Sequence, residues 1–275
     1  MFRHDGKVVI VTGAGTGIGK GIALEFARAG ADVMLAGRRE TELRETSEQI
    51  AKETGRKIGY ASTDVRVRTS CEQLISQTLE RFGRIDVLVN NAGIEGKLGP
   101  VRDLQDEVWE DLFSTNVRSN LYLCRAIIPY FEQKFEKECA GNPTDAEHPP
   151  FVGSIIILGS IAGKQGIGGF AAYCATNFAR IGFAKSLAME LAGKGVTVNA
   201  LCPGIVWTPM WYRAAEQLAT PGQSVEDSFQ SKVPVFIPQG RPQTTKDMGQ
   251  LAVYIASQPN LTAQDLYLDG GNTRF

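Results

Sequence analysis

The 275-residue chain predicts an α/β fold, a doubly wound three-layer sandwich built on a parallel sheet. Three observations predict it. Short β-branched runs alternate with segments of helical period along the whole chain. The first run leads at once into a glycine-rich turn and a helical pattern. The composition, 43% apolar and 21% charged, is that of a globular chain long enough to bury a large core.

The elements follow in order. Residues 8–12 are a strand by composition, and 20–29 have helical periodicity that stops at Gly30. Residues 32–36 form a second strand, and 40–54 a charged amphipathic helix ending at Gly55. A third strand, 57–62, precedes a helix, 70–82, that stops at Gly83. The fourth strand is 85–89, followed by one long helix over about 104–137. Strand five is 154–158, the next helix 171–192, and strand six 196–201. A helix over 245–256 and a short strand, 266–268, complete the series. Each boundary rests on apolar period and on Gly, Pro or polar punctuation. Right-handed crossovers between the strands then place helices on both faces of the sheet. Two stretches read as irregular: 138–150, expected as a solvated loop, and 203–242, a long segment rich in aromatics and expected as a lid.

With 29 basic and 30 acidic residues, the formal charge of −1 offers no global basic field, so nucleic acid is not an expected partner. Five scattered cysteines, no C-x-x-C and only two histidines, His4 and His148, give no metal-ligand spacing. No apolar run approaches the roughly 18 residues of a membrane span, and the run at Val8–Val11 is too short for a signal-peptide core. A cytoplasmic protein with reduced thiols, no metal, no membrane association and a small-molecule substrate is expected.

The turn Thr12-Gly13-Ala14-Gly15-Thr16-Gly17-Ile18-Gly19 sits between the first strand and the first helix. In that position Gly13 suits a tight turn and Gly17 lets backbone approach a phosphate. Gly19 suits close helix–sheet packing, and the helix start offers free N–H groups to a pyrophosphate. An adenosine ribose diol would call for an acid at the end of strand two. The chain instead reads Gly37-Arg38-Arg39, with Glu40 the nearest carboxylate. Two guanidiniums suit a 2′-phosphate, so NADP is expected as the cofactor, with NAD the alternative.

These motifs resemble those of the short-chain dehydrogenase/reductase family, and the resemblance runs over nearly the whole chain. Thr12–Gly19 matches its glycine turn, Asn90-Asn91-Ala92-Gly93 its motif after strand four, and Asn116 its helix-four asparagine. Ser160 matches the catalytic serine and Tyr173, thirteen residues on, the catalytic tyrosine. Asn199-Ala200-Leu201-Cys202-Pro203-Gly204, Thr208 and Asp269-Gly270-Gly271 match its C-terminal motifs. The resemblance implies a single Rossmann-type domain over 1–275, with a seven-stranded parallel sheet, in a homo-oligomer (tetramer or dimer). It implies cofactor contacts from Gly13, Gly15, Thr16, Gly17, Ile18, Gly19, Arg38, Arg39, Asp64, Val65, Asn91, Ala92, Gly93, Tyr173, Asn177, Pro203, Gly204, Ile205 and Thr208. It implies that Tyr173 exchanges a proton with the substrate oxygen, that Ser160 holds that oxygen, and that Asn116 keeps the long helix locally bent beside a water-linked proton path.

One departure matters. The family expects Tyr-x-x-x-Lys, and this chain reads Tyr173-Cys174-Ala175-Thr176-Asn177. In the family that lysine lowers the tyrosine pKa and binds the nicotinamide ribose. Asn177 lies one helical turn past Tyr173 and has donors and an acceptor for the ribose, but no charge. Three accounts stand. Arg180, seven residues past Tyr173, supplies the charge; the oxidised nicotinamide and a water suffice; or turnover is lost and a dinucleotide-binding protein remains. Retained activity is expected, with Asn177 kept in the catalytic set beside Ser160, Tyr173 and Asn116.

The segment 203–211 looks like that of acetoin/diacetyl reductases and polyol dehydrogenases of the family. Ile94, Glu95, Gln165, Ile167, Trp207, Met210 and Trp211 are expected to line the substrate pocket. The expected reaction interconverts a secondary alcohol and a ketone of a sugar, polyol or small hydroxyketone. Reduction of a 3-oxoacyl thioester is the alternative.

Overall fold

The computed structural model describes residues 2–141 and 150–273. Seven strands form one sheet in the order β3-β2-β1-β4-β5-β6-β7. They are β1 (Val8–Thr12), β2 (Asp32–Gly37), β3 (Ile58–Ser62), β4 (Val87–Asn90), β5 (Gly153–Leu158), β6 (Val196–Pro203) and β7 (Asp265–Leu268). Every pairing is parallel, and Val9 of β1 stands opposite both Val33 of β2 and Val87 of β4. A strand covered on both faces reads as a continuous apolar run, which is why β1 is Val-Val-Ile-Val-Thr with every residue buried.

Alternate residues of each strand feed two cores. Ile10, Leu88, Ile155 and Ile157 face one side. There they meet α3 (Arg68–Phe82), α5 (Ser119–Gly141) and α6 (Ala171–Leu191) through Leu74, Phe131 and Leu187. Val9, Val11, Val89 and Leu201 face the other. They meet α1 (Gly17–Arg28), α2 (Glu40–Thr54) and α9 (Thr245–Ala256) through Phe26, Leu43 and Met248. Local chemistry fixes the helix ends. Gly55 and Gly83 close α2 and α3 in the left-handed conformation, donating to Ala51 O and Leu79 O. A reciprocal Thr244–Asp247 capping box starts α9. No helix among the described residues is long and apolar enough to cross a membrane.

Three expectations change. The long helix is α4 (Asp106–Phe113) running into α5 through a π turn at Ser114–Arg118. The extra residue per turn releases backbone groups from the helical ladder there. Next, 138–150 is not wholly loop: α5 continues to Gly141, and residues 142–149 of that expected loop lie outside the described residues. Finally, 203–242 holds two helices, α7 (Pro209–Leu218) and α8 (Val225–Phe236). Their prolines masked the period. Pro209 sits in the first turn, where its missing N–H costs nothing, and Pro234 lies near the end of α8. The two helices close a small core of their own around Ile205, Ala215, Phe229, Val233 and Ile237.

Candidate active site

The strand order reverses beside β1, so the chain leaves β1 and β4 in opposite directions above their carboxyl ends. A crevice opens there, the general ligand position of doubly wound sheets. It is a cavity of about 610 Å³ running from the β1–α1 turn to the ends of β5 and β6.

The glycine turn is clamped from the β4 side. Thr12 Oγ1 accepts from the Asn91 and Ala92 N–H groups, at 3.0 and 3.1 Å. Asn91 Nδ2 returns a bond to Thr12 O at 2.8 Å. Gly13 takes φ +64°, which a side chain would strain. A Cβ on Gly19 would lie 2.4 Å from Gly13 O and 2.5 Å from Asn91 Nδ2. Gly19→Ala therefore drives the turn off β4, and about 3 kcal/mol of stability is expected to go with it, read as a lower urea midpoint at unchanged slope. Thr16 precedes α1 without a side-chain cap, so the first-turn N–H groups of α1 point into the cavity without a side-chain acceptor from their N-cap.

Arg38 and Arg39 reach the cavity edge beside Glu42. Arg39 pairs with Glu42 at 3.1 Å, whereas Arg38 has no ion pair among the described residues. Glu40 is exposed and does not line the cavity, so the alternative ribose acid lies away from it. On the third strand's side, Asp64 and Val65 line the wall, and a bidentate bond from Arg66, Nε to Oδ1 and Nη2 to Oδ2, holds the Asp64 carboxyl below the usual carboxylate range.

At the far end Ser160 and Tyr173 face the same space, Ser160 from the end of β5 and Tyr173 from the first turn of α6. Ser160 Oγ also accepts from Ala162 N at 3.1 Å, which fixes its rotamer. Tyr173 is half-buried, and the desolvation of its hydroxyl pushes its phenol pKa up. The Arg180 charge acts against that, followed by the Ser160 and Asn177 side chains, while Glu95 adds to the rise.

Of the expected site residues, Gly13, Gly15, Thr16, Gly17, Ile18, Arg38, Arg39, Asp64, Val65, Asn91, Ala92, Gly93, Ser160, Tyr173, Pro203, Gly204 and Thr208 line the cavity. Gly19, Asn116, Asn177 and Ile205 do not. Ile205 belongs to the core beneath α7 and α8. Asn116 is fully buried, with its side chain spent on structure: Oδ1 accepts from Ile94 N and Nδ2 donates to Ile94 O, both at 2.9 Å. It pins the π turn to the segment after β4. Asn177 is also fully buried, and its Nδ2 donates to Tyr173 O at 2.9 Å within its own helix. Sequence spacing expected this amide to face a ribose. A short side chain on a close-packed helix bonds the carbonyl one turn back instead.

The substrate end changes too. Ile94, Glu95, Ile167, Met210 and Trp211 line it as expected. Gln165 instead donates to Asn272 Oδ1 at 2.6 Å, and Trp207 packs on Phe229, with ring centroids 4.2 Å apart. Phe170, Arg213 and Phe236 line it and were not expected. Arg213 forms a bidentate pair with the buried Glu95, Nε–Oε1 2.6 Å and Nη2–Oε2 3.0 Å. The partners are 118 residues apart, so no local pattern could have linked them.

The comparisons with known proteins follow the same geometry. Residues 7–219 match the family model described as short chain dehydrogenase. The chain is 36% identical over 277 residues to a protein named as the ketoacyl reductase of the monensin polyketide synthase of Streptomyces virginiae, covering 100% of both chains. It is 32% identical over 272 residues to a diacetyl reductase, (S)-acetoin forming, of Staphylococcus epidermidis, covering 96% of this chain and 98% of that protein. Its backbone superposes on the L-sorbose reductase of Gluconobacter frateurii, solved with NADPH and L-sorbose, with TM-score 0.87, 26% identity and 98% coverage of both. The chain belongs to the short chain dehydrogenase family, as an oxidoreductase acting on CH–OH and C=O groups.

Proposed function

We propose that this protein is an NADP(H)-dependent reductase and dehydrogenase of small hydroxyketones, sugars or polyols, working through Tyr173 and Ser160. The observation that carries the reading is one unbroken cavity joining the glycine turn and Arg38 to the Ser160 and Tyr173 hydroxyls. Its lining fits a nicotinamide dinucleotide. The turn has no room for side chains where Gly19 packs, and the α1 N-terminus presents N–H groups that no N-cap side chain occupies. Gly15, Thr16, Gly17 and Ile18 would hold the pyrophosphate, Asp64 and Val65 the adenine end, and Asn91, Ala92 and Gly93 the nicotinamide half. Arg38 would meet a 2′-phosphate, with Arg39 joining once released from Glu42.

When bound, the coenzyme supplies or accepts the hydride. The chain's own residues manage the proton and the geometry. In reduction, Tyr173 Oη gives its proton to the carbonyl oxygen as that oxygen gains charge, and solvent restores it. In oxidation the phenolate takes the hydroxyl proton. Ser160 Oγ, held by Ala162 N, donates to the substrate oxygen and keeps it against the phenol. Asn116 acts by holding the π turn rather than by touching substrate.

Residues 203–242 act as the lid. Three contacts latch α7 to the segment after β4: the Arg213–Glu95 pair, Gln217 Oε1 accepting from Leu98 N at 2.9 Å, and Gln217 Nε2 donating to Gly96 O. The same ion pair offers hydrogen bonds to substrate hydroxyls, which supports a polar ketone over an acyl chain. The test is a panel of a small hydroxyketone, a ketohexose and a 3-oxoacyl thioester with each coenzyme. Turnover of the thioester alone would overturn the polar-substrate reading. Arg38→Ala is expected to weaken NADPH at least tenfold (about 1.4 kcal/mol) and leave NADH within threefold, measured by tryptophan-quenching titration. Equal losses for both coenzymes would remove the 2′-phosphate contact.

A further inference from the structure

Arg180 is a buried guanidinium with an unusual set of neighbours. It lies on α6, two helical turns past Tyr173, and its side chain leans back toward that turn, as helical side chains do. It is 4% exposed, and no carboxylate pairs with it among the described residues. Two backbone carbonyls hold it, each at 2.6 Å: Nε donates to Asn116 O and Nη2 to Ala92 O. Neither carbonyl is an accident of packing. Asn116 O lies in the π turn, where the ladder is interrupted, and Asn120 Nδ2 shares it at 2.7 Å. Ala92 lies in the segment clamped to the glycine turn. Gly93 completes the seat: a Cβ there would stand 2.9 Å from Arg180 Nη2 and 3.2 Å from Nη1. The guanidinium fills the space that a side chain at 93 would take, and it lines the same cavity as Tyr173 and Ser160.

We propose that Arg180 is the positioning cation of this active site, the fixed positive charge beside which Tyr173 gives up and regains its proton. This rests on the reading of Tyr173 as the proton carrier. A buried cation is costly unless something uses its charge, and a neutral donor would satisfy either carbonyl. Asn177 cannot supply the charge, because its amide is neutral; its Nδ2 donates to Tyr173 O, and its Oδ1 has no partner among the described residues. Once Tyr173 has passed its proton to the substrate oxygen, the phenolate is the anion that Arg180 faces among the described residues, and their attraction in a desolvated site favours that state. Burial pulls the Arg180 pKa down to about 10, so the group remains charged at neutral pH. The charged groups around the pair are few. Glu95 and Lys97 stand on the segment after β4, and Arg213 of α7 engages Glu95 and leaves Arg180 as the charge favouring the phenolate.

The test uses the full-length enzyme. Tyr173 is titrated without coenzyme by tyrosinate absorbance at 295 nm, as the difference between each protein and its Tyr173→Phe partner. Coenzyme-loaded turnover is then followed from pH 6 to 10. Arg180→Gln keeps one donor for the carbonyls and removes the charge. Its phenol midpoint is expected to rise by at least one pH unit. The limb of turnover that needs the phenolate moves with it, and kcat/KM for alcohol oxidation at pH 7 falls at least tenfold. The double variant Asn177→Lys/Arg180→Met returns a cation one turn nearer the phenol and is expected to restore the midpoint to within half a unit. An unchanged midpoint and pH profile in Arg180→Gln, or no restoration in the double variant, would overturn the proposal. If the wild type shows no turnover but its phenol midpoint still depends on Arg180, the functional reading fails while the coupling of Arg180 to the phenol stands.

Discussion

Tyr173→Phe is expected to lower turnover by about 10²–10⁴-fold while leaving the protein folded and coenzyme binding within twofold. The change deletes one oxygen from a half-buried ring whose remaining atoms pack as before, with Phe170 against its edge at 6.5 Å between centroids. The side chains beside the hydroxyl, Ser160 and Asn177, keep other bonds when it is lost, Ser160 Oγ from Ala162 N and Asn177 Nδ2 to Tyr173 O. What goes is the group that exchanges a proton with the substrate oxygen, and Ser160, alone beside that oxygen, can hydrogen-bond but not replace the transfer. Steady-state rates over pH 6–10, with binding followed by fluorescence, check the split. A variant retaining more than a tenth of wild-type turnover would exclude Tyr173 as the proton carrier.

Asp86→Ala is expected to cost about 3 kcal/mol of stability at pH 7, a large share of a typical domain's margin. Asp86 stands immediately before β4 with its side chain only 5% exposed. Its carboxylate accepts from Val8 N at 2.9 Å, from Arg84 at 2.8 and 2.7 Å, and from Lys134 Nζ at 2.9 Å. It therefore ties the start of β1 to β4 and to α5. Burial alone would raise its pKa, but the Arg84 and Lys134 bonds and charges hold it below the usual carboxylate range. A depressed folded pKa gives stability that is complete above the unfolded value near 4 and is lost as pH falls through the folded value. The gap between wild type and Asp86→Ala is thus expected to be flat from pH 7 to about 5 and to shrink below about 4. Urea midpoints at pH 7, 5 and 3.5 test this. A gap that widens in acid would reverse the assigned sign.

Much of the architecture could be read from one dimension because its causes are local. A strand buried on both faces must be apolar at every position, as in Val8–Thr12, and helices ended by Gly55 and Gly83 announce where the chain can turn left-handed. The glycine turn belongs to the same class, since each glycine answers a steric demand a few residues away. Helices α7 and α8 were missed because Pro209, Pro221, Gly222 and Pro234 are punctuation in sequence and compatible with helix ends in space.

The site divides along the same line. Sequence by itself determined the residue types: a phenol and a hydroxyl thirteen positions apart, two arginines after the second strand, and no lysine after Tyr173. Only the tertiary structure decided which way the side chains turned. Asn177, correct in spacing, is spent on its own helix. Glu95 is engaged by Arg213 from across the cleft, and Arg180 is seated on the Ala92 and Asn116 carbonyls from two distant segments. The physical reason is range. Backbone conformation follows from neighbours in sequence, whereas the charge around a phenol in a cleft is the sum over groups that only folding brings together.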